Sequence, residues 1–143
     1  MTRYYAIDEA NTLLPDVERI LAALRDQREE LIDARDRALT LTPEDGAATP
    51  EAAEQLRLIR LRMQGLIDQM QAGVARLVEL DITLRDIKSG LIDFPALLSG
   101  RPIWLCWRLG EPEVGHWHAH DEGFDSRRPL DELPASRGSG TLA

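Results

Sequence analysis

The chain has 143 residues, 17 basic against 25 acidic, and its formal net charge of −8 argues against nucleic acid or an anionic membrane surface as the main partner. With 43% hydrophobic and 29% charged residues it suits one ordinary soluble domain; no apolar run approaches the ~18–20 residues that span a bilayer, and no apolar signal segment follows Met1. The single cysteine, Cys106, excludes an internal disulfide framework and fits a reducing compartment, so the expected location is cytoplasmic.

Asp8 is expected to cap a short turn through Leu14, with Pro15 at the first position of a new helix. Val17, Ile20, Leu21, Leu24, Leu31, Ala34 and Ala38 then recur at spacings of three, four and seven. They form one apolar stripe on a helix of about 25 residues, roughly 38 Å long. The breaker-rich stretch from Leu41 to Pro50 reads as a loop, after which Thr49 and Pro50 restart a helix. Leu56, Met63, Met70, Leu77 and Leu84 alternate there with Ile59, Leu66, Gly73 and Leu80 in heptads, as expected of an antiparallel coiled-coil-like partner. Leu58, Leu61, Ile67, Val74 and Val78 widen its apolar face beyond a two-helix seam. Either a C-terminal sheet or a second subunit should cover them.

Near Asp81 the helical period gives way to alternation and turns. Ile82 to Ile87 is a first strand or a frayed helix end, Lys88-Ser89-Gly90 a turn, and Leu91 to Leu98 a strand with Pro95 at an edge or bulge. Ser99-Gly100 turns into Pro102 to Leu109, and Gly110 to Glu113 turns that strand back into Val114 to His120. The fold class expected is α+β: a helical hairpin over about 8–80, an antiparallel β-meander over about 82–130, one domain over 1–133, and a disordered tail over 134–143.

Phosphate loops, H-E-x-x-H, paired C-x-x-C and G-x-S-x-G motifs are all missing. What stands out is that all three histidines, all three tryptophans and Cys106 fall within seventeen positions. Alternation puts His116, His118 and His120 on one strand face. A three-residue turn after Gly110 would place them opposite Arg108, Cys106 and Trp104, with Trp107 opposite Trp117 on the buried side. Because it keeps polar groups together, that register is favoured. Cys106 with His118 and a neighbouring histidine could then bind zinc or iron, and Glu111 or Asp121 could complete or orient the set. A purely structural role for the cluster competes with that reading, as does a nucleophilic Cys–His pair. Asp93 either reaches Arg108 or a histidine or, as favoured, sets up the bend at Pro95. Phe124 with Arg127 and Arg128 is either an anion clamp or, as favoured, a plug that closes the sheet.

Gly90-Leu91-Ile92-Asp93-Phe94-Pro95, Gly100-Arg101, Leu105-Cys106-Trp107, Gly110-Glu111, Trp117-His118 and Gly123-Phe124 resemble the pattern of the bacterial Domain of Unknown Function 2203 family. Glu9-Ala10-Asn11 and Leu13-Leu14-Pro15 fit its N-terminal pattern. The resemblance covers nearly the whole chain and implies no activity, cofactor or partner. Asp93, Cys106, Trp107, Glu111, Trp117, His118, Gly123, Phe124 and Arg127 match it, whereas His116 and His120 fall outside. The leading expectation is a non-enzymatic interaction protein, a homodimer through its helices with a further unidentified protein partner. The alternative is a metal-binding protein or metal-dependent enzyme with its site on the last hairpin.

Overall fold

In the computed structural model, which describes residues 2–132, the first apolar stripe forms one helix, α1 (Ile7–Leu41). The tail expected to be disordered lies outside the described residues. There is no break at Pro15, which sits inside the helix. Its ring removes one backbone donor, yet Leu14, Val17, Leu21 and Leu24 are buried together around it. Burial at about 25 cal/mol per Å2 of apolar surface outweighs that single bond. Ala6, not Asp8, is the N-cap residue, and its N–H donates to Glu9 Oε1 at 3.0 Å. Asp8 lies in the first turn, where its charge suits the helix dipole.

The second helix, α2 (Pro50–Glu79), starts where the sequence indicates. Thr49 Oγ1 accepts from the Ala52 N–H at 3.1 Å, with Pro50 at the first position. α2 runs back along α1, and Gly73 sets the close approach: a Cβ there would lie 3.2 Å from Leu24 Cδ2.

The chain then forms β1 (Thr83–Asp86), β2 (Leu91–Leu98), β3 (Arg101–Arg108), β4 (His116–Ala119) and β5 (Arg128–Pro129). Their order β1-β2-β3-β4-β5, with every pairing antiparallel, makes an α+β meander. Ser99 (φ 52°) and Gly100 (φ 81°) form the tight turn between β2 and β3, with the positive dihedrals that match the strand twist. Pro95 lies mid-strand, but β1 pairs only as far as Asp93. Pro95 therefore sits at a local edge, where its carbonyl accepts the Tyr5 N–H at 2.8 Å.

Alternation sorts the sheet into two faces. Ile92, Phe94 and Ala96 of β2, Ile103, Leu105 and Trp107 of β3, and Trp117 of β4 share one core with Tyr5, Leu14, Val17, Leu21, Leu24 and Leu77. The opposite face carries the polar residues.

Between β3 and β4 the register differs from the favoured one by two residues: Cys106 faces His116, Trp104 faces His118, and Leu105, not Trp107, faces Trp117. An even shift leaves every side chain on its expected face. It arises because residues 109–115 form a broad connection rather than a three-residue turn. Trp107 Nε1 donates to the Glu111 carbonyl at 3.2 Å, and the Val114 N–H donates to Asn11 Oδ1 at 2.7 Å. The sheet leaves Leu58, Leu61 and Val78 of α2 uncovered, at 52%, 59% and 65% exposure.

Candidate metal centre

Asp93 pairs with Thr83 of β1 and with Cys106 of β3, so its buried carboxylate sits in the middle of the polar face. Arg85 Nε donates to Asp93 Oδ2 at 2.8 Å. His118 Nε2 lies 3.1 Å from both carboxylate oxygens, and its Nδ1 lies 3.0 Å from the Ala119 carbonyl oxygen. Cys106 completes the group. One donor atom from each of Asp93, Cys106 and His118 falls within 4.8 Å of the others, and all three residues are buried.

Hydrogen-bond chemistry constrains this group. A carbonyl oxygen only accepts, so Nδ1 of His118 carries a proton toward Ala119. Nε2 faces both Asp93 oxygens, so the contact requires a proton or a cation between the imidazole and the carboxyl group. Burial, and after it the Asp93 charge, pushes the Cys106 thiol up to about 12. A thiol so placed is not a free nucleophile, and both His118 nitrogens are already committed elsewhere.

A cavity of about 240 Å3 opens onto the group, with Arg85, Leu91, His120, Asp121, Gly123 and Phe124 forming its outer wall. Phe124 begins a short 3-10 turn, Phe124–Ser126, that folds over this face of the sheet. The Arg108 and Arg127 guanidinium groups lie over its ring, 5.5 and 4.6 Å from the centroid.

The other residues singled out in the sequence take distinct places. His116 faces Cys106 across the ladder but meets Arg127, whose Nη2 also donates to Glu111 Oε2 at 2.6 Å. Glu111 Oε1 accepts from the Arg108 N–H at 2.8 Å, so Glu111 shapes the connection rather than joining the group. His120 lies past the end of β4, stacked on Trp104 with centroids 4.8 Å apart. Asp121 is exposed at the cavity rim. Trp107 and Trp117 belong to the core on the far face of the sheet. Asp93 reaches a histidine and does more than set up a bend. Arg85 gives no sign of its face in the sequence, because the register shifts between Leu84 and Asp86 and breaks the alternation that would reveal it.

The model of a family described as "Uncharacterized conserved protein (DUF2203)" matches residues 3–130. No curated protein and no solved structure shows significant similarity to the chain.

Proposed function

The chain belongs to the DUF2203 family, and we propose that it binds one transition-metal ion, zinc or iron, through Asp93, Cys106 and His118. The observation that carries the reading is His118: Nδ1 donates to a carbonyl while Nε2 points at the Asp93 carboxyl group beside a buried thiol. The 3.1 Å separation of Nε2 from the Asp93 oxygens is close to the ~3.3 Å edge of a tetrahedron built from zinc–ligand bonds of ~2.0–2.1 Å. A sulfur, nitrogen and oxygen set suits a borderline-soft ion. The Ala119 carbonyl orients the imidazole and Arg85 orients the carboxylate, as supporting groups around metal sites do. Binding displaces the thiol proton, so affinity rises with pH. Three protein donors leave a fourth position open toward the cavity. Elemental analysis of untagged protein purified without chelator tests this. Near-stoichiometric zinc or iron is expected, lost in both Cys106→Ala and His118→Ala. A parent protein that stays metal-free after incubation with either ion would overturn the proposal.

A second reading concerns the helices. Leu58 and Leu61, one turn apart, and Val78 near the other end of α2 leave apolar side chains uncovered, which supports self-association as a homodimer. Size-exclusion chromatography with light scattering at micromolar concentration should give a dimer mass, and a monomer mass would remove this reading. Among the described residues no helix is long and apolar enough to cross a membrane. A cytoplasmic setting, where the Cys106 thiol stays reduced, suits both readings.

A further inference from the structure

Resting on the metal reading above, we infer that this site takes a small planar oxyanion, a carboxylate or carbonate group, held between the metal ion and the Arg85 guanidinium.

Arg85 is the first ground. It spends only Nε on Asp93, and among the described residues its two terminal amino groups have no hydrogen-bond partner. The guanidinium rests on the Trp104 ring, 4.9 Å from the centroid, and Trp104 is itself stacked on His120 at an interplanar angle of 12°. Layering of this kind holds the guanidinium plane while leaving its outer edge free. Arg85 also belongs to the cavity wall that Asp93, Cys106 and His118 share.

Charge is the second. With Asp93 and the Cys106 thiolate as ligands, a divalent ion is neutralised, and Arg85 leaves one net positive charge facing the cavity. The acidic residues on the rim do not cancel it. Both Glu122 oxygens accept from Arg128 Nη2 at 3.0 Å, and Oε1 also accepts from the Ala119 N–H at 3.1 Å. Asp121 is exposed, so water and salt screen it.

Size and shape are the third. A cavity of about 240 Å3 lies below the ~300–1,000 Å3 of drug-sized sites and suits a small ligand. An O–C–O group can put one oxygen in the open metal position and turn the other toward the free edge of Arg85, the planar match for which guanidinium is suited. Leu91 and Phe124 supply apolar wall for a short substituent.

The test uses the full chain loaded with cobalt(II), whose visible spectrum reports the ligands around the ion, titrated with acetate, bicarbonate and sulfate. Acetate or bicarbonate should give a saturable spectral change, with sulfate at least tenfold weaker. Because Arg85→Gln also loses the contact that orients Asp93, each variant is first brought to full cobalt occupancy with excess ion; Arg85→Gln should then bind the anion at least tenfold more weakly, and Arg85→Lys, which keeps the charge but not the fork, should fall between. Equal anion affinity in parent and Arg85→Gln would overturn the oxyanion site, as would sulfate binding as tightly as acetate. So would a parent that holds cobalt but answers no anion. Failure of the parent to hold cobalt at all would instead overturn the metal reading beneath it.

Discussion

Replacing Asp93 in the metal-free protein separates the two demands placed on its carboxylate. Alanine there removes the acceptor shared by Arg85 Nε and His118 Nε2. The Arg85 side chain is 41% exposed and rehydrates, so losing its bond costs no more than ~1 kcal/mol. His118 is 2% exposed and has no such recourse. Removing one member of a buried, hydrogen-bonded pair of titratable groups costs ~3–5 kcal/mol. Asparagine behaves differently, because its amide oxygen can still accept from Arg85 while its NH2 donates to Nε2 of a neutral imidazole that keeps its Nδ1 proton on Ala119. Its expected loss is therefore only about 1–2 kcal/mol. Urea unfolding followed by tryptophan fluorescence reads both. With a slope of ~2 kcal/mol per molar for a chain of this size, the midpoint should fall by about 1.5–2.5 M for Asp93→Ala and about 0.5–1 M for Asp93→Asn. Equal losses in the two variants, or a loss below ~0.5 kcal/mol for alanine, would refute the pairing on which the site is built.

Three further outcomes follow from other parts of the fold. Gly90 has φ +68°, and a Cβ there would lie 2.5 Å from Leu109 Cβ, so Gly90→Ala should cost more than ~2 kcal/mol in a thermal melt. Gly100→Ala, at φ +81° with open space around it, should cost only the ~1 kcal/mol backbone penalty, and matching losses would contradict the clash. Because burial pushes the Cys106 thiol up to about 12, Ellman's reagent at pH 8 should leave the native metal-free protein unmodified yet react at once in guanidinium; rapid native reaction would show that the thiol is accessible. The buried Tyr5 hydroxyl donates to the Leu80 carbonyl at 2.6 Å, and desolvation raises its titration above the ordinary value of 10.0. An acid whose titration is raised by folding stabilises fully below that value, and its contribution is lost as pH climbs beyond it. Tyr5→Phe should therefore lose ~1 kcal/mol at pH 7 and flatten the stability decline above pH ~10, whereas an unchanged alkaline slope would assign that decline to other groups.

The helical hairpin was legible because its signal is local and repeated: apolar residues every three or four positions, with Thr49 and Pro50 marking one start. Pro15 defeats the same local logic, since a rule about one missing donor cannot weigh the burial of Leu14, Val17, Leu21 and Leu24. The strands and most of their turns were legible through alternation and through Ser99-Gly100. The polar face was assigned correctly, but which of its residues touch was not. That depends on the path of residues 109–115, and Asn11, 103 positions before Val114, helps to fix that path. Arg85 was hidden for a related reason. One irregular step between Leu84 and Asp86 erases the parity by which a strand announces its faces.

The division of labour between the hairpin and the sheet has a consequence for how the molecule tolerates change. The core shared with the sheet ends at Leu24 on α1 and Met70 on α2, and Leu56, Ile59 and Leu66 are buried outside it. Ile87, in the turn after β1, shares a groove with Leu31 and Ile67 farther out. Beyond that groove the two helices form a cantilever whose root sits on one face of the sheet while the polar cluster occupies the other. The arm can therefore lengthen or shorten by matched turns without moving Asp93, Cys106 or His118. Its amide protons should exchange in a gradient from tip to root rather than with the sheet as a single unit. The reach of the molecule and the chemistry of its polar face are thus free to vary separately.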